Sequence, residues 1–245
     1  MQIQPVYFKD LGIMPYNEAW EYQETLLKKN VEIKSKYQSA QQKQKRISTT
    51  NYLLFVEHPP VYTLGKTGHE ENILLGEKEL NEKGILFVKT NRGGDITFHG
   101  PEQIVGYPIL DLEKFGTDIG KYLRNLEEII IRTLAEYGIN AERSSGETGV
   151  WLEPGKLGSE RKIAAFGVRC SRWITMHGFA FNVNTDLLYF DDIVPCGIKN
   201  KQVTSLAREL GRNIDLKEVK KKLKTHFEDV FEAELLDMQD TASEI

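Results

Sequence analysis

Apolar side chains recur at helical spacing over residues 16 to 29 and again over residues 118 to 137. One face of the first stretch consists of Tyr16, Trp20, Gln23 and Leu27. The stripe of the second consists of Ile119, Tyr122, Leu123, Leu126, Ile129, Ile130, Leu134 and Tyr137. Both patterns predict amphipathic helices, and Gly138 is typical of the residue that ends one.

A third helix is predicted to begin after Asp215, which we pair with Glu218 as a cap. Its apolar face consists of Leu216, Val219, Leu223, Phe227 and Val230.

Elsewhere the apolar residues form short runs bounded by Pro and Gly, as strands do. The predicted strands are YLLFV (52 to 56), VYTL (61 to 64), ILFVK (85 to 89), IVGYPIL (104 to 110), GVW (149 to 151), KIAAFGV (162 to 168) and WITMHGFAFNV (173 to 183). The polar turn RCSR joins the last two strands.

Strands, one long helix, further strands and a helical end predict an α/β (α+β) fold in a single domain. With 245 residues, of which 40% are hydrophobic and 28% charged, the chain can bury a sizeable core. We expect one catalytic domain over residues 1–245, with its core at about 50–232 and a frayed tail at 240–245.

The charge pattern narrows the choice of partners. A net charge of −4 argues against a general nucleic-acid binder. Between Lys28 and Arg46 the chain nevertheless holds seven Lys or Arg and a Gln-rich run. This Lys/Gln-rich segment, at 28–50, is interpreted as a solvated helix end and loop, the alternative being a docking site for an acidic partner.

The N-terminus has no signal-peptide pattern and no stretch is apolar for the length of a membrane span, so a cytoplasmic protein is expected. Two cysteines are too few for a disulfide scaffold, so we expect reduced thiols.

The LGKTG run does not match a phosphate-binding loop, because the position of that motif's first glycine is occupied by Pro60.

Three segments carry more Gly, His and reactive side chains than a core needs. Arg92 and the following Gly-Gly pair leave backbone amides free to face a carbonyl or an anion, the alternative being an ordinary loop with a surface His99. Lys162 begins an apolar strand, where burial would lower its pKa and make it a general base; a lysine that only reaches to water is the alternative.

Cys196 lies between Pro195 and Gly197, a setting that a core-filling cysteine does not need. The alternative is a small buried hydrophobe. Cys170, in the RCSR turn, is assigned no role.

Motifs in one consistent order cover most of the chain: VEHPPVYTLG, RGGDITFHGP, GVW, RKIAAFGV, TMHGFAFNVNTDL, IVPCGI and VTSL. Together they resemble the lipoyl(octanoyl) transferases of the biotin/lipoate protein ligase superfamily, which move an octanoyl group from acyl carrier protein to lipoyl domains. The resemblance implies a central mixed sheet flanked by helices, with Cys196 as the acyl-thioester nucleophile and Lys162 as its partner.

The resemblance also implies an acyl pocket. Its residues would be Arg92, Gly93, Gly94, Asp95, Ile96, Thr97, Phe98, His99, Ala165, Phe166, Gly167, Gly178, Phe179 and Ala180. Glu102 departs from the glycine usual in the family, and the lengthened stretch before Asn51 is a second departure. Both bear on partner docking more than on chemistry.

The expected activity is ATP-independent transfer of an octanoyl group through a Cys196 thioester, without a cofactor. The donor would be octanoyl-acyl carrier protein, and the acceptors lipoyl domains of 2-oxoacid dehydrogenases and the glycine cleavage H protein. Amides near Gly167 and Gly178 would hold the oxyanion, and Phe98, Ala165 and Phe179 would line the acyl tunnel. His99 and His177 would orient the dyad or support the loops.

We expect a monomer that binds neither nucleic acid nor membrane. An ATP-dependent lipoate or biotin ligase, a cysteine thioesterase and a non-catalytic carrier-protein binding module are the alternatives.

Overall fold

The computed structural model describes residues 3–39, 48–194 and 202–238. Its helices are α1 (Tyr16–Ser39), α2 (Glu77–Lys83), α3 (Ile119–Ala135), α4 (Leu206–Leu210) and α5 (Leu216–Phe231). Its strands are β1 (Gln4–Ile13), β2 (Asn51–Glu57), β3 (Val61–Leu64), β4 (Leu86–Lys89), β5 (Ile96–His99), β6 (Gln103–Ile109), β7 (Val150–Leu152), β8 (Arg161–Ser171), β9 (Ile174–Asn182), β10 (Gln202–Val203) and β11 (Ala233–Asp237). Short 3-10 helices occupy Glu70–Asn72 and Leu187–Asp192.

The larger sheet has the strand order β10-β8-β9-β6-β2-β1-β11, with β7 also paired to β8. It is mixed, because β1 runs parallel to β2 and β11 whereas β2, β6, β9 and β8 are successively antiparallel. A smaller sheet has the order β4-β3-β5. The predicted mixed α/β fold is therefore confirmed.

Both faces of the larger sheet are covered, which explains why its central strands are continuously apolar. Along β2, Leu53 and Phe55 point to the core formed with α3 and α5. Tyr52, Leu54 and Val56 point to the opposite face, against α1. Successive side chains of a strand alternate between faces, so the single run YLLFV supplies two separate cores.

The predicted strands are confirmed, but some elements escaped prediction. The VYTL run is β3 residue for residue. Strands β1, β5 and β11 and helices α2 and α4 were not predicted. The sheet therefore extends beyond the expected core at about 50–232. The predicted position of the turn, at RCSR, was also wrong. Cys170 and Ser171 belong to β8, and the chain turns at Arg172 and Trp173, which both have positive φ.

Helix α1 continues well past the predicted end, through Ser39. Lys34, from the Lys/Gln-rich segment, is nearly buried and pairs with the buried Asp111 at 2.5 Å. That ion pair ties the helix to the end of β6, so this part of the segment is not merely a solvated helix end. Residues 40–47 of the segment, and the expected frayed tail at 240–245, lie outside the described residues.

The other two predicted helices are confirmed. Gly138 follows α3 with φ 73°, as expected of a helix-ending glycine. Asp215 caps α5 by accepting a hydrogen bond from the Lys217 amide at 2.9 Å, while Glu218 accepts one from the Tyr137 hydroxyl and does not complete a capping box. Within the described ranges, no helix combines the length and apolar character that a bilayer span requires.

Candidate active site

A cavity of about 500 Å³ lies over strands β8 and β9, beneath the loop that leads into β5. It is of the size that small-molecule sites in proteins usually have. Residues predicted for the acyl site line it: Lys162, Arg92, Gly93, Gly94, Asp95, Ile96, Thr97, His99, Ala165, Phe166, Gly167, Gly178, Phe179 and Ala180. Segments far apart in the sequence are thus brought together around one space.

Phe98 is the exception among the described candidates, since it does not line the cavity. Its side chain is fully buried, and its ring stacks on Tyr189 at 4.4 Å and meets Phe190 edge-on. Because successive residues of a strand face opposite ways, Phe98 turns into the small-sheet core. It supports the site from behind, and the prediction that it lines the tunnel was wrong.

The glycines of the site serve backbone packing. A Cβ on Gly178 would stand 2.1 Å from the Gly106 carbonyl oxygen, and one on Gly167 would stand 2.8 Å from the Gly93 carbonyl oxygen. Gly167 therefore lets the β5-leading loop lie directly on β8, where the Gly93 amide donates to the Val168 carbonyl at 3.0 Å. No other residue type fits at these contacts without moving the backbone.

Ala165 and Ala180 form a cross-strand pair next to the Gly167–Gly178 pair. Side chains paired across antiparallel strands share one face of the sheet. Two methyl groups beside two glycines leave open space there, so these alanines set the height of the cavity floor.

Arg92 organises the loop above this floor. Its guanidinium is buried and donates to the carbonyl oxygens of Thr63, at 2.5 Å, and Gly93, at 3.0 Å. The same group donates to the Thr63 hydroxyl, which lies 3.3 Å from Nε2 of His99. His99 is buried, so it is not the surface histidine of an ordinary loop.

A chain of hydrogen bonds connects His99 to the main chain of Lys162. Nδ1 of His99 lies 2.9 Å from Oε1 of Gln103, and Gln103 donates to Oδ1 of Asn182 at 2.9 Å. Asn182 donates to the Thr204 carbonyl at 3.1 Å, and the Thr204 amide donates to the Lys162 carbonyl at 2.9 Å. Since Gln103 uses its amide nitrogen on Asn182, its oxygen faces His99, which fixes the Nδ1–H tautomer.

Sequence analysis missed Gln103, Asn182 and Thr204 as site residues, although each lies in or beside a quoted motif. The signal was a polar side chain within an apolar strand or directly after one. Burying such a group requires hydrogen-bond partners, and those partners lie up to 79 residues away in sequence.

Five rings pack together beside the site and are here called the aromatic wall: Tyr16, His58, His99, Tyr107 and His177. All of them except His58, which packs behind the others, line the cavity. Tyr16 stacks on His99 with ring centroids 5.8 Å apart. Nδ1 of His58 contacts the Met14 carbonyl at 2.7 Å and its Nε2 contacts the Tyr107 hydroxyl at 2.8 Å. His58, within the VEHPPVYTLG motif, was not assigned a role from sequence.

The three imidazoles of the wall are neutral at physiological pH. Burial lowers the pKa of His58 to about 4 and that of His177 to about 3. Burial, with the neighbouring His58 ring and the positive charge of Arg92 in support, holds the pKa of His99 well below its usual value. Desolvation disfavours the charged imidazolium, so these rings act as fixed hydrogen-bonding groups.

His177 adopts φ 57°, a strained conformation for a residue other than glycine. Its amide donates to Oε1 of Gln23, and its Nε2 donates to Oδ1 of Asn91 at 2.7 Å. Asn91 in turn donates to Glu24, which pairs with Arg169 at 2.5 Å. Contacts with α1 and with the loop before β5 therefore hold this ring in place.

His177 lies opposite Val168 on β8, six residues from Lys162. At the rise of a strand this separates the two backbones by about 20 Å. His177 thus does not touch Lys162 directly, and its contacts support the loop before β5; that it orients the dyad stays a prediction.

Lys162 is partly exposed, with Nζ 4.5 Å from the centroid of the Trp151 ring. A cation over an indole face is a favourable contact that holds the ammonium at the cavity. Its carbonyl bonds to Thr204, immediately after β10, which pairs with β8 at Arg161 and Lys162. Lys162 is therefore less buried than the start of an apolar strand led us to expect.

Pro195, Cys196 and Gly197 lie outside the described residues. Cys170 is a free, partly buried thiol whose pKa is raised by burial, which disfavours the reactive thiolate. Its assignment to no role agrees with this setting.

Glu102 occupies the position where the resemblance leads us to expect glycine, and its φ is 59°. Glycine adopts this left-handed conformation without strain, which explains the family's preference. The Glu102 carboxylate accepts from the side-chain amide of Asn184 at 3.1 Å, and Glu102 is not among the cavity-lining residues. The departure is accommodated on the loop surface.

The sheet order, the loop over β8 and the cavity beneath that loop define a lipoate-ligase-like α/β fold. Residues 15–228 match the lipoyl protein ligase A/B catalytic domain, and the chain belongs to this family. It is 60% identical to an octanoyltransferase of Christiangramia forsetii over 231 residues, which cover 94% of this chain and 97% of that protein. It is 59% identical to an octanoyltransferase of Flavobacterium johnsoniae over 94% of this chain and 98% of the relative.

Among solved structures, the fold resembles a bi-partite lipoate protein ligase of Thermoplasma acidophilum that was analysed with its E2 lipoyl domain. The TM-score is 0.66 at 16% identity, covering 98% of this chain and 89% of the other. At this identity the likeness establishes the fold.

Proposed function

We propose that this chain is an octanoyltransferase that moves an octanoyl group from octanoyl-acyl carrier protein to a lysine of lipoyl domains. The observation that carries the proposal is 60% identity to an octanoyltransferase over almost the full length of both chains. A cavity of about 500 Å³ over β8 and β9, lined by residues expected for the acyl site, supports the proposal. A cytoplasmic location and a monomeric state stay predictions.

In the first step the Lys162 ammonium stabilises the Cys196 thiolate by its opposite charge. The thiolate attacks the carbonyl carbon of the octanoyl thioester, and the developing oxyanion is held by backbone amides beside the cavity. Collapse breaks the bond to the carrier sulfur, which takes a proton from Lys162. The octanoyl group is then a thioester of Cys196.

In the second step the amine of the acceptor lysine attacks that thioester. Lys162 accepts the proton that the amine loses, and Cys196 leaves as the thiolate. An amide forms from an already activated thioester, so the reaction needs no ATP.

The acyl chain would lie over the Ala165–Ala180 floor, where apolar burial contributes about 0.8 kcal/mol per CH₂. Arg92 to Thr97 and His99 would close the space from above. The aromatic wall supplies fixed neutral groups, which leaves proton transfer to Lys162.

A test is an ATP-free assay in which octanoyl-acyl carrier protein, a lipoyl domain and the purified chain are mixed, and the domain is weighed by mass spectrometry. The proposal predicts an octanoyl mass increase on one lysine of the domain. Transfer from free octanoate only with ATP would identify a ligase, and free octanoate as the main product would identify a thioesterase. Carrier binding with no product under either condition would leave a binding module.

A further inference from the structure

A fully buried carboxylate, Glu127, lies on α3 among apolar side chains of the core. Its Oε2 pairs with Arg124 at 2.7 Å and with Nε of Arg143 at 3.1 Å. Its Oε1 accepts a hydrogen bond from the Gly149 amide at 3.0 Å. Burying a charge is costly, and here both arginines and one amide compensate for it.

These contacts fix both ends of one loop, residues 143 to 149. Arg143 begins the loop and Gly149 ends it immediately before β7. Glu147 and Thr148, between them, line the cavity together with Lys162. The Glu127 carboxylate therefore holds a wall of the candidate active site from within the core.

Gly149 lies directly against Lys162. With φ 150°, it adopts a conformation that other residues rarely take. A Cβ at this position would lie 3.1 Å from Cε of Lys162 and 2.8 Å from Nε1 of Trp151. The Trp151 ring is the surface over which the Lys162 ammonium sits. The position of Gly149 thus sets where both side chains of this cation–ring contact can lie.

We propose that Glu127 is a positioning residue for Lys162: its bond to the Gly149 amide holds the loop and Trp151 where they aim the lysine at the reacting thioester. This inference rests on the proposed function for the role of Lys162. Catalysis is sensitive to such placement, because a shift of about 1 Å costs up to about 100-fold in rate.

The chain contains a matched control one residue away. Glu128 lies on the same helix and pairs with the same Arg143 at 2.8 Å, and also with Arg132 at 3.0 Å. Its side chain is 31% exposed, and its carboxylate contacts Arg143 and Arg132 rather than Gly149. A general loss of charge on α3 would affect both residues, whereas positioning of Lys162 requires Glu127 alone.

The experiment compares Glu127→Gln and Glu128→Gln with the wild type in the ATP-free transfer assay, after thermal unfolding has confirmed that each is folded. Glu127→Asp is a second variant that keeps the charge for the arginines while drawing the carboxylate back from Gly149. Both Glu127 variants should lose about 10- to 100-fold in kcat with KM for octanoyl-acyl carrier protein changed by less than about threefold. Glu128→Gln should stay within about twofold of wild type in kcat.

A second readout does not depend on turnover. Acetic anhydride labels lysine amines, and peptide mass spectrometry gives the labelling rate of Lys162 relative to the exposed Lys156 in the same sample. We expect the Glu127 variants to shift this ratio by at least about threefold and Glu128→Gln to leave it unchanged.

Folded Glu127 variants with wild-type kcat and a wild-type Lys162 labelling ratio would overturn the inference, as would an equal loss in Glu128→Gln. If the wild type itself transfers no octanoyl group, the proposed function fails. A shifted labelling ratio in the Glu127 variants would then still show that Glu127 positions Lys162.

Discussion

The Lys162 side of the cavity and the aromatic wall differ in how deeply their ionisable side chains are buried. Lys162 is partly exposed, with its Nζ 4.5 Å from the centroid of the Trp151 ring. The imidazoles of the wall are buried and have lowered pKa values, so they stay neutral and keep one tautomer. The difference teaches that histidines beside a cavity can serve as fixed hydrogen-bonding groups, and in the proposed reaction proton transfer falls to Lys162.

The largest expected effect comes from removing that lysine. Lys162→Met should lower octanoyl transfer by about 1,000-fold or more, within the range that a positioned acid–base group supplies. Lys156→Met is the matched control, since its side chain is 68% exposed and pairs with Glu153 on the surface. Steady-state transfer rates measure the effect. Loss of activity in His99→Asn but not in Lys162→Met would reverse the comparison between the two regions.

The second prediction concerns the hydrogen-bond chain that connects the two regions. Gln103→Leu removes the side chain that joins His99 to Asn182, and leaves buried polar groups without partners. We expect the free energy of unfolding to fall by about 3 kcal/mol, as measured by urea denaturation. Asn81→Leu, at an exposed position of α2, should change it by less than about 0.5 kcal/mol. An unchanged stability in Gln103→Leu would mean that the hydrogen-bond chain is not structural.

The floor between the regions should set acyl-chain preference. Ala180→Leu adds apolar volume where the proposed octanoyl chain lies. We expect octanoyl transfer to fall by about 10- to 100-fold relative to butanoyl transfer, because even one methylene too many in a pocket is worth about 1–3 kcal/mol. Ala135→Leu, on the exposed side of α3, is the control. Equal losses for both acyl donors would place the chain elsewhere.

The smallest effect is a pH dependence of stability that arises in the aromatic wall. The pKa of His177, about 3, lies below the value of about 6.5 in an unfolded chain. Above pH 6.5 neither state binds a proton at this ring; as the pH falls toward 3, only the unfolded state does. Each such imidazole therefore contributes stability above about pH 6.5 that is lost on acidification, about 2 kcal/mol by pH 5.

His177→Asn, which tolerates the positive φ, should remove about 1–2 kcal/mol of the difference in unfolding free energy between pH 7.5 and pH 5. Urea titrations at the two pH values measure it, and the exposed His69→Asn should leave the difference as in wild type. A His177 variant with the full wild-type pH difference would show that this ring is not held neutral by burial.

The sequence predicted elements whose boundaries are local. Strand β3 lies between Pro60 and Gly65, and α3 ends before Gly138, so turn-forming residues mark both. Strand β5 was missed because it is four residues long and is stabilised by pairing with β3, more than thirty residues earlier. Strand β1 depends on β11 from the other end of the chain. Such pairing is tertiary, and local patterns do not contain it.

The candidate site, like the fold, was predicted from sequence only in part. Family motifs predicted the segments that surround the cavity, but not which side of each strand faces it, so Phe98 was assigned to the wrong side. Glu127 was missed because a charge within an apolar helical stripe looks like an exposed position until its partners, Arg143 and Gly149, are brought next to it. The periodicity of apolar residues along a sequence does not reveal polar contacts between residues that are far apart in the chain.

The most direct test of the account is intact-protein mass spectrometry after mixing the chain with octanoyl-acyl carrier protein without ATP, using wild type, Cys196→Ser and Cys170→Ser. The account predicts an octanoyl adduct on wild type and Cys170→Ser, absent from Cys196→Ser, which disappears when a lipoyl domain is added. An adduct that persists in Cys196→Ser, or transfer to the lipoyl domain at the wild-type rate by that variant, would contradict it.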